Sequence, residues 1–341
     1  MPEPRGAELA RGFHDDVVAP LLRREFPGAP LVAGRFGAGS DVLGLDDDVS
    51  RDHDWGLRLH VLVPDGLAGP VGAVLQEHLP ATQAGRPVRF ATTWDPHERH
   101  RVEVATIDGF VRSRLGIGAQ EDPTTADWLS FTGQAVLELL AGPVFADDEG
   151  RWEALRRKLS WYPDDVWRHL VASAWQQLEQ ELPFVGRTGA RGDDLGSRLL
   201  AARLAGTAVQ LGLLLDRTWA PYAKWAGTVF AARPSGRVAP HLARALAATH
   251  WREREAGLCA ALEGLLARQG EVGLPAPGPA TAPFHGRPFA GVVPTLPGAV
   301  APAGDGRGPV GVGALGQWVD AVDVLVRPAL RRDLARAVVG S

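Results

Sequence analysis

The spacing of apolar residues changes near Asp127, and this change constrains the fold more than any other feature of the sequence. Before it, short segments such as residues 54–63 and 101–107 alternate between apolar and polar residues, as half-buried strands do. After it, apolar residues recur every three or four positions, as in amphipathic helices. We therefore predict an α+β chain with a small mixed β-sheet domain over residues 1–125 and an all-helical domain over residues 126–341.

The individual elements are predicted from the same spacing. In the first domain we expect helices over residues 8–25 and 69–79, and strands over residues 30–35, 54–63, 87–93 and 101–107. In the second we expect helices over residues 128–140, 164–182, 194–217, 241–267 and 315–338. Residues 270–313 concentrate Pro and Gly, which favours an irregular crossing or loop.

Charge and composition exclude several classes of function. The chain has 36 basic and 40 acidic residues and a net charge of -4, whereas nucleic-acid-binding proteins usually carry a basic excess. Its apolar runs are short and flanked by charge, so we expect no membrane span. The single cysteine, Cys259, cannot form an intramolecular disulfide, which agrees with a cytoplasmic location.

The residues with the clearest chemical pattern are Gly39, Ser40, Asp52 and Asp54. In a strand, residues i and i+2 face the same side, so Asp52 and Asp54 would place two carboxylates about 7 Å apart at their Cα atoms. Hard oxygen ligands of this kind suit Mg²⁺, whose coordination is completed by substrate phosphates and water. The amides near Gly39 and the Ser40 hydroxyl can donate hydrogen bonds to triphosphate oxygens.

A third carboxylate would allow the site to hold two metal ions about 3.5–4 Å apart. Glu103 is the candidate, because it lies between apolar neighbours in a predicted strand and faces away from them. Without this context, an Asp-x-Asp pair is also typical of a capped strand start or a surface turn. The Gly-Ser pair that precedes it favours the metal site.

These motifs resemble the polymerase-beta-like nucleotidyltransferase superfamily. More narrowly, the chain is similar to a bacterial branch described only as a domain of unknown function, and the segments that carry the similarity are residues 39–44, 50–56, 161–163, 220–225, 287–289 and 317–320. The resemblance implies a metal-bearing sheet followed by a helical domain that closes over the nucleotide. It also implies transfer of a nucleoside monophosphate from a nucleoside triphosphate, with release of pyrophosphate.

Two features depart from the pattern of that superfamily. Eleven residues separate Ser40 from Asp52, slightly more than in compact relatives. The third carboxylate is Glu103 where aspartate is commoner, which leaves Asp108 as a substitute.

The helical half supplies five further candidates. Glu181 is our first choice for the general base that activates the acceptor, with Asp194 second, although the two can equally be an exposed glutamate and a helix cap. Lys224 is one of only two lysines, and it is predicted to meet phosphate while Tyr222 packs against a base. Arg187 can hold triphosphate or be ion-paired.

The sequence therefore predicts a Mg²⁺-dependent nucleotidyltransferase. Asp52, Asp54 and Glu103 would hold two Mg²⁺ ions, and ATP is the default donor by the frequency of ATP in the superfamily. The predicted acceptor is a small molecule, and a cationic one would suit the acidic residues around Glu181. The alternatives are a non-catalytic nucleotide-binding or regulatory module, and transfer to a protein side chain.

Overall fold

The computed structural model describes residues 5–47, 55–93, 95–302 and 312–339. The chain divides into two compact units, Met1–Asp122 with Ala135–Ser160 and Pro123–Gln134 with Trp161–Ser341. The predicted fold class is confirmed, because the first unit carries a small mixed sheet and the second is mostly helical.

The first unit begins with a helix that is interrupted by a π-helical turn at His14–Val18. Its helices are α1 (Gly6–Phe13), α2 (Ala19–Glu25), α3 (Ala68–His78), α4 (Ile107–Leu115) and α7 (Arg151–Lys158). Its strands are β1 (Val32–Gly34), β2 (Arg58–Leu62), β3 (Thr82–Gln83), β4 (Arg86–Pro87), β5 (Arg89–Thr92), β6 (Asp95–Ala105) and β7 (Val144–Asp147).

Five of these strands form one sheet in the order β5-β6-β2-β1-β7. β2 and β6 are parallel, with His60 opposite Glu103, and the other neighbours are antiparallel. Because β7 pairs with β1, the chain must return to this unit after Gln134 to complete the sheet. The pattern of local hydrophobicity contains no signal for that return.

The two faces of the sheet pack differently. On one face, Leu59, Val61 and Val102 join a buried apolar cluster with side chains of the α1–α3 segment. On the other, Phe36 stacks on Trp152, with ring centroids 4.8 Å apart, and both rings contact Phe110. His60 lies on this second face, because alternate residues of a strand point to opposite sides.

The second unit consists mainly of helices. They are α5 (Thr125–Ser130), α8 (Asp164–Gly189), α9 (Asp194–Leu215), α10 (Ala223–Ala231), α11 (Ala239–Ala247), α12 (Trp251–Glu271), α13 (Thr295–Val300), α14 (Val322–Leu325) and α15 (Pro328–Val339), while α6 (Gly133–Leu140) begins here and continues into the first unit. Short 3₁₀ segments are Pro234–Val238, Phe284–Gly286 and Leu315–Gln317, and β8 (Thr281–Pro283) pairs with β9 (Ala290–Val292).

Among the described residues, α9 is the one helix with enough length and apolar character to cross a membrane. Half of its most apolar window is nevertheless buried inside the fold, and a core helix has the same length and composition. Trp167 of α8 donates its indole N–H to the Leu214 carbonyl at 2.7 Å, which joins the two long helices.

Three further predicted helices are divided in the structure. The helix expected over residues 315–338 becomes the 3₁₀ turn Leu315–Gln317, α14 and α15. The helix expected over residues 128–140 breaks between Ser130 and Gly133, where any β-carbon on Gly133 would collide with the backbone of Ala220. The helix expected over residues 241–267 breaks after Ala247, and the His250 side chain caps the helix that follows. Within the predicted irregular segment, residues 281–292 form the β8–β9 hairpin.

Candidate functional site

The Gly-Ser turn after β1 is held in place by a buried arginine. The Arg35 guanidinium binds both carboxylate oxygens of Asp41, at 2.7 and 2.8 Å, and neither side chain is more than slightly exposed. It also donates hydrogen bonds to the carbonyls of Phe36 and Ala38. One forked cation therefore fixes both sides of the turn, a geometry that lysine could not reproduce.

Glycine is required at two positions of this turn. Gly39 has φ of +142°, and an added β-carbon would collide with the Asp41 carboxylate and the Arg35 guanidinium. Gly37 has φ of +74°, and its β-carbon would lie 2.9 Å from His60 Nε2. Both glycines let the backbone approach charged or polar groups closely, as the sequence predicted for Gly39.

Glu103 has the orientation that its strand position predicted. Its apolar neighbours Val102 and Val104 pack on the core face, whereas the Glu103 side chain is 45% exposed. Its carboxylate accepts from His60 Nε2 at 3.2 Å and from Arg114 Nη1 at 3.2 Å. Glu103 is therefore an accessible carboxylate that already holds two partners.

Burial and nearby charges determine the protonation states of His60 and Glu103. Burial lowers the pKa of His60 to about 4, because the charged imidazolium is poorly solvated inside the protein. Burial opposes the charged form of Glu103 as well, but the hydrogen bond from His60 and the charge of Arg114 outweigh it and lower its pKa to about 2. At neutral pH, neutral His60 thus donates Nε2–H to an ionised Glu103.

Arg114 connects the site to α6. Its guanidinium contacts Glu103 at 3.2 Å and Glu138 at 3.4 Å, and it lies 3.9 Å from the centroid of the Phe110 ring. These ion-pair distances exceed the roughly 2.7–2.9 Å of strong charge-assisted bonds. The Arg114 guanidinium therefore forms two long ion pairs, with Glu103 and with Glu138, next to the Gly-Ser turn.

The other two predicted metal ligands, Asp52 and Asp54, lie outside the described residues. Within the ranges that the structure describes, no three His, Cys, Asp or Glu side chains are grouped closely enough to hold a metal ion. Asp108, the substitute for Glu103, is engaged by Arg112 and by the Ala119 amide.

The predicted residues of the second unit lie on or next to three helices, with Glu181 and Arg187 both on α8. Glu181 on α8 is 3.0 Å from Arg203, and Asp194 at the start of α9 is bound by Arg198 and Arg254. The Arg187 guanidinium lies over the Phe184 ring, 5.4 Å from its centroid. Glu181, Asp194 and Arg187 therefore each have a structural contact, which is the alternative that the sequence analysis kept for them.

Lys224 and Tyr222 occupy the start of α10. The Lys224 ammonium is 4.9 Å from the centroid of the Trp225 ring, and Tyr222 is 44% exposed. Trp219 and Trp225 are both buried, so Tyr222 presents the accessible ring of this segment.

Sequence reasoning missed Arg35, Asp41, His60 and Arg114. A weak signal existed for Arg35, because a charged residue directly follows an apolar strand and precedes a glycine-rich stretch. No local pattern marks His60 or Arg114 as neighbours of Glu103, since the contact is made through strand pairing and helix packing.

Comparison with known proteins gives a match to a family and similarities to solved structures. A family described as a domain of unknown function (DUF4037) matches residues 128–226. A nucleotidyltransferase-like protein from Exiguobacterium sibiricum 255-15 is similar over 78% of this chain and 77% of that one, with 12% sequence identity and a TM-score of 0.34. No curated protein matches the chain. The family match spans less than a third of the chain, and the structural similarity is too low to transfer residues or activity.

Proposed function

We propose that the protein is a Mg²⁺-dependent nucleotidyltransferase that moves a nucleoside monophosphate from a triphosphate to a small-molecule acceptor. The observation that supports this most is the order of three adjacent strands. β1 leads into the Gly-Ser turn, β2 follows the Asp52–Asp54 segment in sequence, and β6 carries Glu103 beside β2.

Each chemical role is assigned to a residue of this chain. Gly39 and Ser40 would place backbone amides and a hydroxyl against phosphate oxygens. Asp52, Asp54 and Glu103 would hold Mg²⁺, and Glu103 suits this as an ionised, accessible oxygen donor. Bound Mg²⁺ would supply charge stabilisation for the transferring phosphoryl group.

The helical unit would supply the contacts to nucleotide and acceptor. Lys224 and Arg187 would balance triphosphate charge, Tyr222 would pack on the base, and Glu181 would accept the acceptor proton. The ion pairs of Glu181 and Asp194 reduce the negative charge available to a cationic acceptor. ATP as donor and a cytoplasmic location belong to the same proposal.

Pyrophosphate release tests the proposal directly. The purified protein would be incubated with each nucleoside triphosphate, Mg²⁺ and pools of candidate acceptors, and acceptors would be examined by mass spectrometry for an added nucleotide mass. We expect release that is lost in Asp54→Asn and in Glu103→Gln. Asp108→Asn is the matched control and keeps activity. Release that persists in Asp54→Asn would place the chemistry elsewhere.

One observation favours a second candidate, a non-catalytic nucleotide-binding module. Glu103 is already neutralised by Arg114 and hydrogen-bonded by His60, as a purely structural ion pair would be. In that case nucleoside triphosphate raises the melting temperature of both the wild type and Glu103→Gln, and pyrophosphate is never released. An enzyme shows release with the correct acceptor.

A further inference from the structure

Arg114 lies beside the Gly-Ser turn and makes long contacts with two carboxylates. Its Nη1 is 3.2 Å from Glu103, and its Nε is 3.4 Å from Glu138. Strong charge-assisted bonds between a nitrogen and a carboxylate oxygen are roughly 2.7–2.9 Å long. The Arg114 side chain is 18% exposed, so solvent reaches part of it. Another anion can therefore replace Glu103 as a partner of Arg114 at a small cost in free energy.

The turn next to Arg114 offers hydrogen-bond donors that the protein does not use. A β-carbon built on Gly37 would lie 3.7 Å from Arg114 Nη2, so the guanidinium is close to the backbone of the turn. The Gly37 amide donates to the Glu138 carbonyl at 2.8 Å. Within the described ranges, the next three amides, of residues 38–40, donate no hydrogen bond. Consecutive free amides and a guanidinium are groups that bind phosphate oxygens in proteins.

The charges around Arg114 oppose an anion while both carboxylates keep their contacts with the guanidinium. Two carboxylates and one guanidinium leave a net charge of −1 in this group. A divalent cation on Glu103 would reverse the balance, because it adds two positive charges and replaces Arg114 as the partner of that carboxylate. Glu103 suits such a cation, since it is an oxygen donor with a 45% exposed side chain.

We propose that Arg114 is a phosphate-binding residue that exchanges Glu103 for a triphosphate oxygen when Glu103 binds Mg²⁺. The inference rests on the nucleotidyltransferase proposal and adds a residue to it. Before the exchange, Arg114 neutralises Glu103 and competes with the metal ion. After the exchange, Arg114 donates to a phosphate oxygen beside the amides of the Gly-Ser turn. Binding of Mg²⁺ and binding of triphosphate therefore favour each other through Arg114, and this coupling is reciprocal.

The exchange is tested with two probes, Mg²⁺ alone and inorganic tripolyphosphate at saturating Mg²⁺. Titration calorimetry measures both affinities for the wild type, Arg114→Gln and Arg112→Gln. We expect Arg114→Gln to bind Mg²⁺ alone about fivefold more tightly, because a competing cation is gone. The same variant should bind tripolyphosphate about tenfold more weakly, because a charge-assisted hydrogen bond is lost. Arg112→Gln should change neither affinity, since Arg112 pairs with Asp108 and Glu121.

A purely structural role for Arg114 would not move the two affinities in opposite directions. Arg114→Lys separates charge from shape, because lysine keeps a cation near Glu103 and lacks the planar fork. This variant should bind Mg²⁺ alone as the wild type does, and its tripolyphosphate affinity should lie between those of the wild type and Arg114→Gln. If Arg114→Gln does not fold by circular dichroism, Arg114→Lys decides alone, and wild-type affinity for tripolyphosphate then overturns the proposal.

Two results with the glutamine variants also overturn the exchange. They are a folded Arg114→Gln in which either affinity is unchanged or both are lowered, and an Arg112→Gln that shows the same opposite changes. If the wild type still releases pyrophosphate, these results leave the nucleotidyltransferase proposal in place. A wild type that binds neither Mg²⁺ nor tripolyphosphate would overturn both proposals.

Discussion

Two buried histidines of the first unit, His60 and His14, have the same chemistry and different surroundings. Each has one ring nitrogen at a carboxylate, from Glu103 or Asp15, and one buried nitrogen without a hydrogen-bond partner among the described residues. The rings of Phe36 and Phe110 pack against His60, and Trp152 packs against both. His14 has one aromatic neighbour, Phe145, with ring centroids 5.5 Å apart, and it also lines a mainly apolar pocket.

The comparison shows that the side chains around a buried histidine determine its protonation state and the contacts that its ring can make. Where aromatic rings enclose the histidine, as at His60, burial lowers the pKa of the imidazole and keeps it neutral. The neutral ring then orients Glu103. At His14 the second nitrogen, Nε2, is enclosed as well, although the residue lines a mainly apolar pocket.

The largest effect is expected from Trp152→Ala, which would make the surroundings of His60 resemble those of His14. Trp152 is fully buried, and removing so large a side chain should lower the free energy of unfolding by about 3–5 kcal/mol. Urea denaturation measures the loss. Trp318→Ala, at a 43% exposed tryptophan, should cost far less. Equal losses would contradict the assigned packing.

The second largest expected effect is a dependence of the free energy of unfolding on pH that is caused by His60. Its pKa is about 4 in the folded protein and 6.5 ordinarily, so the unfolded chain binds more protons between these values. Its contribution to stability is complete above pH 6.5 and is lost as pH falls toward 4. Between pH 7.5 and pH 5, we expect a loss of about 2 kcal/mol.

Urea denaturation at these two pH values checks this prediction with two variants. His60→Phe should remove most of the pH dependence, whereas His97→Gln, at a histidine with an 82% exposed side chain, should keep it. A pH dependence that survives in His60→Phe would falsify the assignment. Below pH 4.5, protonation of Glu103 should reduce stability further, because its folded pKa is lowered to about 2.

A smaller effect is expected from Arg114→Gln. Removing the cation takes away one of the interactions that stabilise ionised Glu103, so the pKa of Glu103 should rise toward its ordinary value of 4.5. A carboxyl ¹³C titration measures the change. Arg112→Gln on the same helix is the control, because Arg112 pairs with Asp108 and Glu121 instead. If the pKa of Glu103 is the same in Arg114→Gln and in Arg112→Gln, Arg114 does not stabilise ionised Glu103 and is not part of the site.

The smallest effect is expected from His14→Phe. The ring is replaced by one of similar size, and a buried nitrogen that has no hydrogen-bond partner among the described residues is removed, while the contact with Asp15 is lost. These contributions oppose each other, so the free energy of unfolding should change by less than about 1 kcal/mol. A large loss in thermal or urea denaturation would mean that His14 is a structural residue.

A local pattern in the sequence predicted the orientation of one candidate site residue correctly. Alternation over residues 101–107 placed Glu103 on the face away from its apolar neighbours, and that orientation is confirmed. Glycine is required at position 39 because the turn holds this residue at φ of +142°, with Asp41 and Arg35 too close for a β-carbon. Arg114 and Glu138 could not be predicted, because α4 brings Arg114 to Glu103 from 11 positions away and α6 brings Glu138 to Arg114 from 24 positions away. The metal role of Asp52 and Asp54 stays a prediction.

By itself, the sequence determined the class of fold, the positions of the long helices and four of the five strands of the main sheet, because hydrophobic period is a local property of consecutive residues. Tertiary structure alone decided that residues 135–160 return to complete the sheet, that Arg35 fixes the Gly-Ser turn, and that one histidine is enclosed by aromatic rings while another lines a mainly apolar pocket. These outcomes depend on contacts between residues far apart in the chain, and a local pattern carries no information about which distant partner will fill a given space.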